Sequence, residues 1–523
     1  MKKICIYDTT LRDGMQGIEI NYTLNDKIQI AHSLDDMNID YIEGGFPLSN
    51  EKESEFFSRV KKEKFQHAKI VAFGSTRKPN GKAIEDPHTN ALLDAETPAV
   101  IVVGKTWLSH VKYVLKTTPE ENLAMIYDSI SYLKSKGREV FFDLEHFFDG
   151  YKNNPDYALK VLQTGTEAGA KTLVLCDTNG GTLPHEVDAI LAKLPIEKLA
   201  PIGVHFHDDC GVAVANSLLS IQKSSVHIQG TINGWGERCG NANLCTIIPN
   251  ICLKTDFTTN ADLKLGALTS LSRFVAEKAN IIPNKRQPYV GEAAFSHKAG
   301  QHADVILKAP ELMEHIDGMK VGNERQILLS ELAGKSTIVR KLEKYGKFDK
   351  KSDQVDEIVK ILKQKEKDGY EFEAAEGSFD LLMRKTLGKY KKLIELKNYH
   401  LESFKTGSHN SKTVGRVFLN SQDEHYMGAG VAIGPVDTLD IALRDALNDS
   451  YPFISKLSLT DYRVRVLDPE FAAAAKVRVF ITTTDHRHSW DTVGVSENIV
   501  EASWEALVDS FEYYYNNYIL KDK

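Results

Sequence analysis

The sequence predicts an α/β protein, with a closed barrel of eight parallel strands, then a helical linker, then a smaller α+β module. Short β-rich apolar runs alternate with helical patterns through the first half of the chain, the runs number eight, and each ends in polar or glycine-rich residues. Alternating strands and helices indicate a parallel sheet. Eight such units in roughly 245 residues match the length of one TIM (β/α)8 barrel.

The eight predicted strands are short and apolar. They are Ile4–Tyr7, Tyr41–Gly44, Ile70–Phe73, Val100–Val103, Val140–Phe142, Thr172–Leu175, Ile202–Phe206 and Val226–Ile232. The helical patterns between them include Asn25–Met37, Ala124–Lys136, Pro155–Ala168 and Pro184–Leu194. A doubly wound parallel sheet is the alternative, but it usually carries fewer strands. We therefore expect one barrel domain over residues 1–270.

The second half of the chain has a different pattern. Residues 271–405 are rich in helical patterns and loops, and we expect helical linker subdomains there. Within them Met383–Lys397 is basic and helical in pattern, which favours a solvated helix face over a phosphate-binding patch. Residues 410–523 are predicted to form an α+β module. Its predicted strands and helices are Val414–Leu419, Arg463–Leu467, Val477–Thr482, Asp437–Asn448 and Ile499–Tyr515.

Composition excludes several classes of protein. The chain has 523 residues with 65 basic and 72 acidic side chains, a net charge of -7, whereas nucleic-acid-binding proteins usually show a basic excess or stripe. No apolar stretch reaches the roughly 18 residues that a membrane span needs. The six cysteines include no C-x-x-C pair, which argues against a zinc ribbon and favours a reduced compartment. We expect a cytoplasmic protein that binds neither nucleic acid nor membrane.

Two histidines give the strongest chemical signal. His205 and His207 flank Phe206 at the end of the seventh predicted strand. Residues two apart on a strand point to the same side, so both imidazoles share a face. Such a pair at a strand end is typical of metal ligands, although two surface histidines would show the same spacing.

Further ligands are expected from neighbouring strands. Asp13 lies just beyond the first predicted strand and Asn241 just beyond the eighth. Because strands one, seven and eight are neighbours in a closed barrel, their side chains can converge with the two histidines. This mixed nitrogen and oxygen set suits Mg²⁺, Mn²⁺ or Zn²⁺ with open positions for substrate.

Three more residues are candidates for the site. Arg12 precedes Asp13, where its guanidinium could bind a substrate oxygen that becomes negative during a reaction. Glu145 ends the fifth predicted strand and Thr178 follows the sixth, so both could face the barrel mouth. For these two, a loop-capping role is an equal alternative.

Three motifs, taken in order, resemble those of one enzyme group. They are Asp8–Gly14 with Gln16, His205–His207, and Gly236–Asn241. They are similar to the motifs of the DRE-TIM metallolyase superfamily, which includes the isopropylmalate, homocitrate and citramalate synthases and hydroxymethylglutaryl-CoA lyase. The resemblance implies a metal-dependent acyl-CoA enzyme on a TIM barrel.

The C-terminal module resembles the regulatory domain of the isopropylmalate and citramalate synthases, in the segments Gly430–Thr438 and Gly494–Trp504. The lyases lack this domain, which argues against the reverse cleavage. Four further segments are most similar to the long-form citramalate synthases. They are Phe73–Arg77, Gly104–Trp107, Asp143–Lys152 and Ser330–Lys335. The resemblance covers essentially the whole chain.

The resemblance also implies a role for each candidate in the barrel. Asp13, His205 and His207 would hold the divalent metal, with Asn241 near it directly or through water. Arg12 would bind the keto oxygen of a 2-oxo acid. The carboxylate of that acid would be bound by Thr178, and the methyl group of acetyl-CoA would lie at Glu145.

One implied residue lies beyond the barrel. His302 matches the family histidine that a partner subunit supplies as acid and base, which implies a homodimer. Relatives often carry a tyrosine shortly after it, where Met313 stands in this chain, so help from that phenol is in doubt.

The implied reaction joins acetyl-CoA to pyruvate and hydrolyses the thioester, giving (R)-citramalate and CoA on the way to isoleucine. An isopropylmalate synthase that uses 2-oxoisovalerate is the nearest alternative, because the two acceptors differ only in bulk. A barrel that has lost catalysis and senses an amino acid is an alternative from another class. The regulatory module implies an end-product effector, for which we predict isoleucine.

Overall fold

The computed structural model describes residues 2–297, 305–306, 308–327, 338–339, 342–349, 352–405, 407, 411–467, 475–485 and 488–520. The chain divides into two compact units, Met1–Phe295 with Ile316–Arg325 and Ser296–His315 with Gln326–Lys523. This division does not decide the domain boundaries at 270, 405 and 410, which stay predictions. His302 lies outside the described residues.

Eight parallel strands close into a barrel in the first unit. They are β1 (Cys5–Asp8), β2 (Tyr41–Gly45), β3 (Lys69–Ser75), β4 (Ala99–Lys105), β5 (Glu139–Glu145), β6 (Thr172–Asp177), β7 (Ile202–Phe206) and β8 (His227–Gly230). The barrel closes because β1 pairs in parallel with both β2 and β8. Each strand coincides with one of the apolar runs, so the predicted TIM barrel is confirmed.

Helices follow or connect the strands. They are α1 (Leu24–Asp36), α2 (Glu51–Val60), α3 (Pro87–Asp94), α4 (Leu108–Tyr113), α5 (Pro119–Ser135), α6 (Phe147–Asn153), α7 (Pro155–Ala168), α8 (Pro184–Leu191), α9 (Ala213–Gln222), α10 (Leu244–Lys254) and α11 (Leu268–Lys278). Short 3-10 helices cover Gly14–Gln16, Ala83–Glu85, Ile196–Lys198, Ile232–Gly234, Asn260–Ala267 and Gly318–Val321. A two-residue strand, Lys2–Lys3, pairs with Phe257–Thr258.

Helix α7 shows why local sequence predicts these elements well. The side chain of Asn154 accepts a hydrogen bond from the Tyr157 amide. Pro155 occupies the first turn, where the amide hydrogen that proline lacks would have no partner within the helix. Gly169 ends the helix at φ +89°, a left-handed conformation that glycine adopts without strain. The predicted bounds Pro155–Ala168 agree with the structure.

The barrel interior is filled by side chains. Tyr7, Tyr41, Phe141 and His227 pack against one another with ring centroids between 4.8 and 6.1 Å apart. Aromatic packing of this kind fills the barrel with side chains, so the interior is a packed core rather than a pore.

The second unit contains an α+β fold, as predicted. One antiparallel sheet comprises β9 (Glu395–Phe404), β10 (Lys412–Ser421) and β11 (Glu424–Ala432), and another comprises β12 (Ser458–Val466), β13 (Val477–Thr484) and β14 (Ser489–Ser496). Its helices are α12 (Asp353–Lys367), α13 (Glu376–Thr386), α14 (Pro435–Leu447) and α15 (Ile499–Tyr514), the last continued by a π-turn at Tyr515–Ile519. The short elements are the parallel pair Ser296–His297 with Gln326–Ile327 and the 3-10 helices Pro310–Leu312, Glu343–Tyr345, Phe372–Ala374 and Pro452–Lys456.

The helical prediction for Met383–Lys397 is wrong beyond Thr386. Gly388 adopts φ +67° and donates its amide to the Lys385 carbonyl, while the Lys389 amide bonds the Arg384 carbonyl. This pattern of hydrogen bonds closes a helix, and glycine supplies the left-handed residue that it requires. The chain then enters β9, which pairs with β10.

The six cysteines are all free thiols. In the described part of the chain, no helix combines the length and apolar character needed to cross a bilayer.

Candidate metal centre and active site

Three buried side chains from distant parts of the chain meet at the carboxyl ends of the barrel strands. The Nε2 atoms of His205, in β7, and His207, just after it, lie 3.2 Å apart. Asp13, beyond β1, places Oδ2 3.5 Å from His205 Nε2 and 3.9 Å from His207 Nε2. Within the described ranges this is the one cluster of histidine, cysteine and carboxylate side chains that could hold a metal ion.

The hydrogen bonds of these groups fit a divalent cation. Two imidazole Nε2 atoms at hydrogen-bond distance share either a proton or a common cation, and Asp13 adds a carboxylate oxygen beside them. Asn241 Nδ2 donates to Asp13 Oδ1 at 3.1 Å. The buried Asn241 Oδ1 and His207 Nδ1 have no hydrogen-bond partner among the described residues, which leaves polar capacity for a further group.

The charge states of the three groups suit metal binding. Burial opposes the charge of Asp13, but the neighbouring Arg12 guanidinium and the two imidazoles outweigh it and lower the pKa of the carboxyl. Burial lowers the pKa of His207. At neutral pH the site therefore offers one carboxylate and neutral imidazole, the forms that bind metals.

Arg12 is held in place from two sides. Its Nη1 lies 3.1 Å from Asp13 Oδ2, and its Nε donates to Oε1 of Glu43, in the middle of β2. Glu43 is fully buried and also accepts from the Tyr7 hydroxyl at 2.8 Å. The guanidinium carbon lies 4.2 Å from the centre of the Phe73 ring, a cation–π contact. These contacts fix one positive charge beside the candidate metal ligands.

Glu145 and Thr178 lie at the same mouth. Glu145 forms an ion pair with Lys105 across the neighbouring ends of β5 and β4. Thr178 Oγ1 accepts a hydrogen bond from the His146 amide at 2.9 Å, which leaves its hydroxyl proton free to be donated elsewhere.

A cavity of about 450 Å³ joins these residues. Its lining includes six of the eight residues predicted for the site; these are Arg12, Asp13, Glu145, Thr178, His205 and His207. Asn241 contacts the cavity residue Asp13, and His302 lies outside the described residues. Phe46, Phe73 and Val103 add apolar surface.

Sequence reasoning missed three polar residues of this site. Glu43 binds Arg12, Gln229 Oε1 lies 3.0 Å from His205 Nδ1, and Gln229 Nε2 donates to Asp143 Oδ1 at 3.2 Å. All three are buried on barrel strands. The sequence does contain a signal for them, which is a carboxylate or amide within an otherwise apolar strand. Such a group is buried only when it has a hydrogen-bonding or charged partner.

A TIM barrel with a buried aspartate and two histidines beside an arginine defines a class, the metal-binding barrel enzymes. Family models match three successive parts of the chain. Residues 3–275 match the HMGL-like family, and residues 289–369 match the homocitrate synthase post-HMGL domain-like family. Residues 373–515 match the LeuA allosteric (dimerisation) domain.

Full-length relatives narrow the assignment. The chain is 48% identical over 517 residues to the (R)-citramalate synthase of Aquifex aeolicus and 47% identical over 517 residues to that of Geobacter sulfurreducens, with 98% of both chains covered each time. A 2-isopropylmalate synthase of Methanocaldococcus jannaschii is 30% identical over 510 residues, covering 97% of this chain and 94% of that protein. The chain belongs to the (R)-citramalate synthase family, which confirms the predicted resemblance.

Proposed function

We propose that this chain condenses acetyl-CoA with pyruvate and hydrolyses the thioester, giving (R)-citramalate and CoA. The observation that carries the proposal is the similarity to (R)-citramalate synthases over nearly the whole length of both chains. The cavity supports it, because a carboxylate, two imidazoles and a guanidinium surround one space large enough for a small acid. We also propose that the protein is cytoplasmic, as the sequence predicts.

Asp13, His205 and His207 hold the divalent cation, Mg²⁺, Mn²⁺ or Zn²⁺, with Asn241 beside it. When bound, the cation supplies Lewis acidity to the ketone of the 2-oxo acid. The residues fit this task since the three ligand atoms lie within 4.8 Å of one another and the Asn241 carbonyl oxygen has no partner among the described residues.

Arg12 binds the keto oxygen of pyruvate and stabilises the negative charge that this oxygen acquires as the new carbon–carbon bond forms. Its Nη1 is already oriented toward the ligand Asp13, and Glu43 prevents the guanidinium from swinging away. A fixed positive charge in a buried site stabilises a developing oxyanion without reorganising, typically by several kcal/mol.

Thr178 and Glu145 orient the two substrates. The Thr178 hydroxyl is fixed by the His146 amide and donates a hydrogen bond to the carboxylate of pyruvate. Glu145 lies at the acetyl-CoA methyl, where its carboxylate can accept a proton once the methyl group approaches. Lys105 forms an ion pair with that carboxylate and so fixes its position at the barrel mouth.

His302 acts as acid and base across a homodimer interface. The match of residues 373–515 to a dimerisation domain supports a dimer, and the sequence motif supports the histidine's role. In the same proposal, isoleucine binds the C-terminal module and lowers the rate. The test compares saturating isoleucine with saturating leucine. Inhibition by isoleucine supports this effector, and inhibition by leucine alone contradicts it.

The proposal is tested by measuring release of CoA thiol from acetyl-CoA with Mg²⁺ or Mn²⁺ and one of four acceptors, pyruvate, 2-oxobutyrate, 2-oxoisovalerate and 2-oxoglutarate. We expect release with pyruvate and none after chelation of the metal. Release mainly with 2-oxoisovalerate would instead make the enzyme an isopropylmalate synthase. No release with any acceptor would support the amino-acid sensor.

A further inference from the structure

Within the described ranges, Gln229 makes the one side-chain hydrogen bond at Nδ1 of the His205 ring. The two residues stand opposite each other in the pairing of β7 with β8, and Gln229 is fully buried. Gln229 Oε1 lies 3.0 Å from His205 Nδ1. This geometry couples the ring of a candidate metal ligand to a neutral amide in the barrel interior.

The orientation of the Gln229 amide is set by Asp143. Gln229 Nε2 donates to Asp143 Oδ1 at 3.2 Å, and Asp143 lies in β5 on the other side of the barrel interior. In this arrangement the amide nitrogen faces Asp143, and the amide oxygen faces His205. The reversed amide would place a nitrogen donor against His205 and a carbonyl oxygen against the carboxyl of Asp143.

The tautomer of His205 follows from this orientation. An amide oxygen only accepts hydrogen bonds, so His205 Nδ1 carries the proton and His205 Nε2 carries the lone pair. That Nε2 atom lies 3.5 Å from Asp13 Oδ2 and 3.2 Å from His207 Nε2, the centre of the candidate metal site.

We infer that Gln229, oriented by Asp143, is a positioning residue that presents the Nε2 lone pair of His205 to the metal. The Asp143–Gln229–His205 relay spans three barrel strands and acts on one histidine only. His207 Nδ1 is buried with no hydrogen-bond partner among the described residues, so its ring lacks an equivalent support. Partners of this kind typically change metal affinity by 10–100-fold when they are removed.

The inference rests on the metal role in the proposed function but not on the identity of the acceptor. The test measures the Kd for Mn²⁺ of the full-length enzyme by electron paramagnetic resonance of free Mn²⁺. We expect Gln229→Leu to raise Kd by roughly 10–100-fold, because it removes the acceptor of the Nδ1 proton. The metal-free melting temperature of each variant reports loss of packing separately.

Asp143 supplies a matched pair of variants. Asp143→Asn keeps an oxygen that can accept from Gln229 Nε2, and we expect its Kd to stay near that of the unmodified enzyme. Asp143→Leu removes the acceptor, frees the amide to rotate, and should weaken Mn²⁺ binding. If Asp143 acts only through Gln229, Asp143→Leu should not weaken Mn²⁺ binding further once Gln229→Leu is present. The double variant should therefore have the same Kd for Mn²⁺ as Gln229→Leu.

Unchanged Mn²⁺ affinity in Gln229→Leu would overturn the inference, and so would equal weakening by Asp143→Asn and Asp143→Leu. If Gln229→Leu fails to fold, the Mn²⁺ affinities of Asp143→Asn and Asp143→Leu test the inference instead. Absence of Mn²⁺ binding by the unmodified enzyme would overturn the metal role and the inference together. Weakened binding in Gln229→Leu, without CoA release from the unmodified enzyme, would support the relay and contradict the proposed function.

Discussion

Arg12 donates through Nε to the fully buried carboxylate of Glu43, and this ion pair joins the loop after β1 to the middle of β2. The second oxygen of Glu43 accepts from Tyr7, so the carboxylate is satisfied on both sides. The pair therefore leaves Arg12 a single orientation, with Nη1 toward Asp13.

Glu43→Ala should reduce both stability and turnover. The substitution leaves Arg12 with Asp13 as its remaining ion-pair partner, so the loss should lie below the roughly 3–5 kcal/mol that breaking a buried pair outright costs. Urea unfolding of the metal-free enzyme measures that loss. Tyr7→Phe is the matched control, since it removes one hydrogen bond to the same carboxylate and should cost about 1 kcal/mol. Equal losses in the two variants would show that the ion pair with Arg12 adds no more stability than the Tyr7 hydrogen bond.

His207→Ala should lose both metal and activity. The substitution removes one of three ligand atoms that lie within 4.8 Å of one another. Metal content after dialysis and CoA release with pyruvate are the two measurements. His185→Ala is the control, because His185 is exposed at the start of α8 and should retain both. Metal affinity that survives in His207→Ala would contradict the ligand assignment.

His302→Ala should lose turnover and retain metal, since the proposed role of His302 is proton transfer rather than ligation. If His302 acts across the dimer, mixing His302→Ala subunits with Arg12→Ala subunits creates one site with both residues intact. We expect each variant to be inactive when pure and the mixture, after subunit exchange, to regain CoA release. Near-normal turnover in His302→Ala would exclude the acid and base role.

Asp509 should make the stability of the second unit depend on pH. Burial raises the pKa of this α15 carboxyl to about 6, from an ordinary value of 3.8. Because the folded state holds the proton more tightly, stability from this group is present below pH 4 and is lost as pH rises through 6. The full loss is about 3 kcal/mol.

Comparison with Asp509→Asn isolates this effect, because the other titrating groups cancel in the difference. The asparagine keeps an oxygen that can accept from Ser378, which now donates to Asp509 at 2.7 Å. We expect Asp509→Asn to unfold at higher urea than the unmodified protein at pH 7.5 and to lose that advantage by pH 4. A constant difference across this range would refute the prediction.

The barrel and the histidine pair of the candidate metal site could be predicted from sequence because their signals are local. Each strand is a short apolar run, and His205 and His207 share a face through a spacing of two. Asp13 and Asn241 follow from the closure of the barrel, which brings the loops after β1 and β8 together.

Glu43 and Gln229 could not be placed because their roles depend on partners that are distant in sequence. Glu43 is 31 residues from Arg12, and Gln229 is 24 residues from His205 and 86 from Asp143. A lone polar residue in an apolar strand shows that a partner exists without identifying it. The end of α13 was missed for a different reason, since the basic residues after it fit a helix face until Gly388 is recognised as a helix terminator.

The most direct measurement follows the keto carbon of pyruvate. Metal-free enzyme is combined with Mg²⁺, acetyl-CoA and pyruvate labelled with ¹³C at carbon 2. The products are analysed by ¹³C NMR after the metal is chelated. We expect the label to move from the ketone to the tertiary alcohol carbon of citramalate, and His207→Ala to abolish this change. Label that stays in pyruvate while 2-oxoisovalerate is condensed under the same conditions would contradict it.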